Sequence, residues 1–325
     1  MAVHTFNRFN YSVDLNVKPE HDIFQIKSEK FKEIPTELFH FFELNRQHIN
    51  SILDNYVFAG HPYDFNDPFD CNKELISFEN TSFNDILELN NGIFKPDSLA
   101  ELFNSTKSED KFKLYDHLNW LLYNVIYMKV GIFCATTNCE SMEMWSYYSK
   151  HRGYAVKFDL SYFPKNYWGP FPINYTNNFK KIEYNKFNKA SFIYQSNIKA
   201  QCWDHENEWR LIFYGPNVMK VPHRDLPKAH NRKFYFNPKA IKEIVLGYSF
   251  FEINEYLSDQ STHERQVVKL RKKRKEKRKI LKYILTNNIQ TSMINLNIES
   301  SSTLGSKPIK IRSISANKYE IIYLS

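Results

Sequence analysis

Glycine is scarce in this chain, with 8 residues in 325. Phosphate-cradling loops depend on glycine for tight turns and close backbone approach, and neither a Walker-type nor a Rossmann-type fingerprint is present. Any nucleotide must be held by another device. The 4 cysteines, Cys71, Cys134, Cys139 and Cys202, form no CxxC pair and are too few for a disulfide framework. Reduced thiols, a cytoplasmic location and the absence of a metal site are therefore expected. The N-terminal residues lack the apolar core of a signal peptide. The most apolar helical stretch, residues 114–128, is interrupted by Asp116, His117, Asn119 and Asn124 and is too short to cross a bilayer. It reads as a buried helix, and no membrane partner is expected.

Aromatic residues, by contrast, make up 16% of the chain and hydrophobic residues 42%, which excludes disorder and supplies a substantial core. The net charge is +8, and the run RKKRKEKRK at 271–279 contributes +7 of it. The basicity is thus one local element and not a property of the whole surface. Arg271, Lys272, Lys273, Arg274, Lys275, Lys277, Arg278 and Lys279 surround a helix for more than two turns, which predicts a solvated helix that does not pack on the core through that portion. The sharper reading is a nucleic-acid interface making salt-dependent phosphate contacts without reading sequence.

Periodicity predicts strands at 34–42, 56–60, 130–136, 153–160, 173–175, 208–214 and 242–248. Helices are predicted over 44–55, 141–151, about 182–200 and 264–285, with a turn at 61–70, a loop at 162–172 and a terminal hairpin after the Ser-rich connector 298–308. Irregular interleaving of strands and helices indicates an α+β fold. The expected organisation is an N-terminal arm (1–33), a main domain (34–250) and a C-terminal extension with the basic helix and hairpin (251–325).

Chemistry concentrates around Glu206-Asn207-Glu208. Two carboxylates two apart on a strand share a face, and like charges so placed are a liability unless a cation, a sugar hydroxyl or a shared proton uses them. Arg210 falls on the same face and would be structural if it pairs with Glu208. His40 lies between Phe39 and Phe41, where a satisfied core histidine is the plainer reading. Trp145 and Tyr148, three apart on a helix with Tyr147 between them, are equally consistent with packing. His151 and Arg152 form a basic pair suited to a pyrophosphate. Asn66-Asp67-Pro68 predicts a side-chain-capped turn, and Gly153 a tight backbone turn before its strand.

The order LFHFF, GIFCAT, SMEMWSYYS, NEWRLIFY resembles the His-Tyr-Glu branch of the ADP-ribosyltransferase superfamily. That resemblance implies a split mixed sheet with flanking helices and NAD as substrate, with no metal. It implies that His40 bonds the adenosine ribose, Tyr148 or Tyr147 stacks on nicotinamide, Glu208 holds the nicotinamide ribose hydroxyl, and Glu206 orients the acceptor. Trp145, His151 and Arg152 complete the expected NAD site. FNDPFD, MWSYYSKHRGYAVKFD and CWDHENEWRLIF resemble, over about residues 38–250, the bacterial family called domain of unknown function 2971, which implies a place in anti-phage defence. The leading expectation is an ADP-ribosyltransferase or NAD glycohydrolase acting as a toxin or effector, with nucleic acid favoured as acceptor and a defence-system protein as possible partner. The alternative is a non-catalytic sensor or interaction module of such a system.

Overall fold

The computed structural model describes residues 2–6, 9–13, 24–27, 34–62, 65–90, 92–127, 130–184, 190–214, 232–262, 264–271, 274–297 and 303–324, the first three stretches as backbone alone. Strands β1 (Ala2–Phe6), β2 (Phe9–Val13) and β3 (Phe24–Lys27) form an antiparallel meander. The segment expected as an arm therefore contains a small sheet. Strand β4 (Glu37–Phe42) leads to helix α1 (Arg46–Leu53) and β5 (Tyr56–Phe58). Asn45 starts α1, its side chain accepting the His48 amide at 2.9 Å. Next come β6 (Ile76–Ser77), α2 (Phe83–Asn90), α3 (Pro96–Asn104) and α4 (Ser108–Tyr127). Leu114, Leu118, Leu121 and Leu122 of α4 pack on Phe78, Ile86 and Leu99, whereas Trp120 on its other side is exposed. Among the described residues no helix is long and apolar enough to cross a membrane.

The middle of the chain supplies β7 (Val130–Thr136), α5 (Met142–Ser149), β8 (Tyr154–Asp159), β9 (Tyr167–Pro172), β10 (Asn174–Thr176), β11 (Ile182–Glu183), α6 (Ala190–Ser196), β12 (Ile198–Ala200) and β13 (Glu208–Tyr214). The stretch 162–172, expected as a loop, thus carries edge strand β9. The single helix expected over 182–200 is replaced by the short helix α6 flanked by strands. The remainder supplies β14 (Lys233–Tyr235), β15 (Ile241–Leu246), β16 (Arg265–Lys269), α7 (Lys275–Asn287), β17 (Gln290–Asn297), β18 (Thr303–Ser315) and β19 (Lys318–Tyr323).

Ten strands form one mixed sheet in the order β16-β19-β18-β17-β15-β8-β4-β7-β13-β9, so the fold is α+β with one large mixed sheet. Within it only β15 and β17 run parallel, and α7 lies on the crossover that a parallel pair requires. The boundary expected at residue 250 has no counterpart in this sheet, because β16 to β19 extend it. Ile280, Leu281 and Ile284 of α7, Met293 of β17 and Ile321 of β19 share a core with Leu38, Phe158 and Leu211. Residues 265–269, expected as helix, form a strand, since Val267 and Val268 pack at the sheet edge while charged Arg265 and Lys269 stay exposed.

The sheet is narrowest where it matters most for the cavity described below. β4 pairs with β7 at a single register position, Phe39 opposite Thr136. Further along β7, Gly60 takes over the pairing through reciprocal bonds with Ile132 of 2.8 and 2.9 Å. Gly153 is required by close approach, since a Cβ there would stand 2.0 Å from the Phe42 carbonyl oxygen. Because α7 shares the main core, Leu281→Ala is expected to lower stability by about 2–5 kcal/mol within a single cooperative urea transition. A separate low-urea transition for the C-terminal part would show an independent unit instead.

Candidate functional site

Between β4, β7, α5 and β13 lies a cavity of about 360 Å³ lined by Phe39, His40 and Phe41, by Phe58, Gly60 and Phe65, by Ile132 to Thr136, and by Met144, Tyr148, Lys199, Glu206, Glu208, Arg210, Asp70 and Asn66. Four expected site residues, His40, Tyr148, Glu206 and Glu208, therefore line one cavity, Tyr148 and the glutamates on the α5 face of the sheet and the His40 ring on the other. Its walls are mostly aromatic and aliphatic, and its charged groups gather on the side formed by β12, β13 and the turn before Cys71.

The acidic pair is brought together differently from the expectation. Glu206 closes a 3-10 turn (Gln201–Glu206), Asn207 takes the left-handed conformation with φ 44°, and only Glu208 is on the strand. Asparagine tolerates that conformation better than most side chains. Both carboxylates converge on Lys199, whose Nζ donates to Glu206 Oε2 at 2.6 Å and to Glu208 Oε2 at 3.3 Å. Tyr148 donates its hydroxyl to Glu206 Oε1 at 2.6 Å. Arg210 donates from Nε to Glu208 Oε1 at 2.6 Å and through both terminal nitrogens to Asp70, at 2.8 and 2.5 Å. The Tyr175 hydroxyl accepts the Glu208 amide at 2.9 Å. Asp70 is presented by the expected turn, in which Asp67 Oδ1 accepts the Phe69 amide at 2.9 Å.

Three carboxylates thus face two cations, all nearly inaccessible to solvent, with Arg210 at 0% and Glu206 at 2% exposure. Burial alone would raise Glu208, but the adjacent Arg210 and Lys199 charges outweigh it and hold the acid well below the ordinary carboxylate range. For Glu206 burial and the Glu208 charge prevail over Lys199, and its pKa is pushed up to about 7. Burial works against the charged form of Lys199, and the Glu208 and Glu206 charges overcome that and keep it protonated. Burial and the neighbouring Glu206 hold the Tyr148 phenol above its usual value, so it stays a donor. Two adjacent acids with separated protonation preferences are the arrangement needed by a fixed negative charge working beside a proton carrier.

His40 occupies an unusual place. Its ring packs on Phe42 and Phe133, in the core on the face of the sheet opposite α5. Its Nδ1 lies 2.7 Å from the Cys134 carbonyl oxygen. A carbonyl only accepts, so Nδ1 carries the proton and Nε2 is an acceptor in the neutral ring. Burial, partly opposed by that hydrogen bond, lowers its pKa to about 4. The imidazole thereby replaces a ladder hydrogen bond where β4 and β7 separate.

Other expected site residues lie outside the cavity lining. Trp145 is fully buried, donates to the Cys139 carbonyl at 2.6 Å and packs edge-on to Phe41. It belongs to the core, because α5 turns that face onto β4. Tyr147, one residue from Tyr148 and hence about a quarter-turn around the helix, is 59% exposed and contacts Trp203 and His205. His151 and Arg152 follow the helix end, where the His151 backbone bonds Trp145 and Ser249. That turn carries them out of the lining, so they form no pyrophosphate cradle with it.

The basic run is also partly spent internally. Lys277 is buried and bonds Glu255 at 2.6 Å, while Arg274 pairs with Glu252 and Glu255. Its portion of the helix therefore does pack on the protein, contrary to the expectation, because Lys277 shares the inward face with Ile280, Leu281 and Ile284. Arg271, Lys275 and Lys279 are exposed and Arg278 partly so; Lys272 and Lys273 lie outside the described residues.

Lys199 and Tyr175 escape the sequence reading, as does the pairing of Asp70 with Arg210. Lys199 is the one charged residue in 191–203, and a lysine is fully buried almost only when paired. Among the described residues no group of three or more His, Cys, Asp or Glu is arranged to hold a metal ion. No family model, curated protein or solved structure matches the chain.

The Glu206 shift gives a pH dependence with a definite sign. Its pKa is about 4.3 in an unfolded chain and about 7 in the folded one, so between these values the folded state binds the extra proton. The linked stability is fully present at the acidic end and is lost as pH rises through about 7. His40, lowered to about 4, gives the opposite slope, so the informative quantity is a difference. Urea titrations from pH 4.5 to 7.5 are expected to show the wild type losing stability relative to Glu206→Gln as pH rises. A pH-independent difference would contradict the raised value.

Proposed function

We propose that this chain is an NAD-consuming enzyme of the ADP-ribosyltransferase kind, transferring ADP-ribose to a macromolecule, with NAD glycohydrolase activity when water is the acceptor. The observation that carries this reading is the convergence of Tyr148, Glu206 and Glu208 from separate stretches of chain on one aromatic-walled cavity. When the bond from ribose C1′ to the ring nitrogen breaks, its electron pair goes to the ring. Nicotinamide leaves neutral, and positive charge develops on the sugar. Glu208, fixed and ionised, stabilises that charge more in the transition state than in the ground state. Glu206 takes the proton released by the acceptor hydroxyl as its oxygen bonds to C1′. Tyr148 and Lys199 hold Glu206 in place through its two oxygens. The aromatic walls exclude water.

The exposed part of the basic run, Arg271, Lys275, Arg278 and Lys279, favours nucleic acid as acceptor. Resemblance to domain of unknown function 2971 supports a defence role as toxin or effector. A second reading is a non-catalytic sensor or interaction module, and one observation favours it: both Glu208 oxygens are already held by Arg210 and Lys199.

Glu206→Gln preserves the shape of the network and is expected to lower nicotinamide release from NAD by about 100-fold or more, with an unchanged circular dichroism spectrum. Full turnover in that variant removes Glu206 from the chemistry, and no turnover in the wild type favours the module. For the acceptor, replacing Lys275, Arg278 and Lys279 by Gln is expected to weaken single-stranded nucleic-acid binding in fluorescence anisotropy and to reduce the salt slope by about 2–3. Unchanged affinity at low salt would remove nucleic acid as partner.

A further inference from the structure

We infer that the cavity recognises a cationic nucleoside, the nicotinamide riboside half of its ligand, and leaves the phosphates outside. This rests on reading the cavity as the site of the ADP-ribose donor. The first argument is charge. Lys199 and Arg210 are the lysine and arginine of the described lining, and each already contacts carboxylates at 2.5–3.3 Å. Asp70, Glu206 and Glu208 outnumber them. With Glu206 ionised, the state in which it accepts a proton, the lining carries one net negative charge, and a phosphate pressed against it meets repulsion with little water to screen it.

His40 adds no positive charge. Its Nδ1 proton is committed to the Cys134 carbonyl, and the ring sits among Phe42 and Phe133. His151 and Arg152, the pair expected to take a pyrophosphate, do not line the cavity.

The second argument is shape and surface. A volume of about 360 Å³ is at the small end of the range for ligand pockets, roughly 300–1,000 Å³. That suits one ring and one sugar better than a dinucleotide. Phe39, Phe41, Phe58 and Phe65 line the cavity, and aromatic faces attract flat cations, as the Arg210 guanidinium 5.3 Å from the Phe65 ring centroid illustrates. A pyridinium joined to ribose presents a flat positive ring and neutral hydroxyls, which matches apolar walls beside an acidic cluster. Cleavage removes the positive charge from the ring, so the leaving nicotinamide loses the attraction that held its precursor. The same cluster thus favours substrate capture and product release.

Two measurements on the full chain test this. Nicotinamide release is compared for NAD, nicotinamide mononucleotide and nicotinamide riboside; kcat/KM for the riboside is expected to lie within threefold of NAD or above it. A preference of more than tenfold for NAD overturns the inference and leaves NAD cleavage standing. Calorimetry then compares nicotinamide riboside with nicotinic acid riboside, whose ring carboxylate cancels the positive charge. The cation is expected to bind at least tenfold more tightly. Equal affinity, or no binding of the cation, overturns the inference. Selective binding without release by any of the three donors supports it and sinks the catalytic reading instead.

Discussion

The buried guanidinium of Arg210 is the constraint on which the site depends. Removing such a cation from water costs several kcal/mol even after relaxation, and it persists here because Asp70 grips it bidentately and Glu208 holds its Nε. Asp70 comes from the turn after β5 and Glu208 from the start of β13, so one side chain joins two distant stretches of chain. Ser196 adds a third, its carbonyl accepting from Nη1 at 2.5 Å. With these bonds made, the turn, the end of α6 and the head of β13 have little freedom relative to one another. Lys199, three residues beyond Ser196, is then delivered to both glutamates.

That arrangement assigns different tasks to two chemically identical residues. Glu208 is saturated by cations and stays ionised. Glu206 meets a shared lysine, a phenol and a neighbouring negative charge, and is the group whose proton is negotiable near neutrality. Order along the chain favours Glu208 as the central residue. The contacts make Glu206 the more adaptable of the two.

The opening between β4 and β7 is the other half of the site. A continuous ladder there would close the sheet and fill the space with backbone. Pairing is instead limited to Phe39 with Thr136, and His40 and Gly60 supply the bonds that β7 would otherwise lack. His40 therefore has a structural task whatever else it does, in line with the plainer reading of a histidine between two phenylalanines. The ten-stranded sheet stays continuous, and the gap within it is local.

Much of this was legible from residue order. The strand at 130–136 is a near-continuous apolar run, α5 carries its aromatic spacing, and EWRLIFY is buried along almost its whole length, because local periodicity reports which side of an element is apolar. Residue identity also announced the capped turn at Asp67 and the structural pairing of Arg210 with Glu208. Long-range pairing was not legible. Nothing near residue 250 signals that the following strands join the same sheet, and nothing in a run of basic residues signals that Glu255 waits to neutralise Lys277. Nor does adjacency distinguish Tyr147 from Tyr148, which the helix sends to solvent and to Glu206 respectively. The sequence by itself determined the elements and the supply of charged and aromatic groups, since these follow from local propensity and composition. Only the tertiary structure decided which charges meet, which are shielded from water and which face a cavity, because those outcomes depend on contacts between residues as far apart as Asp70 and Arg210.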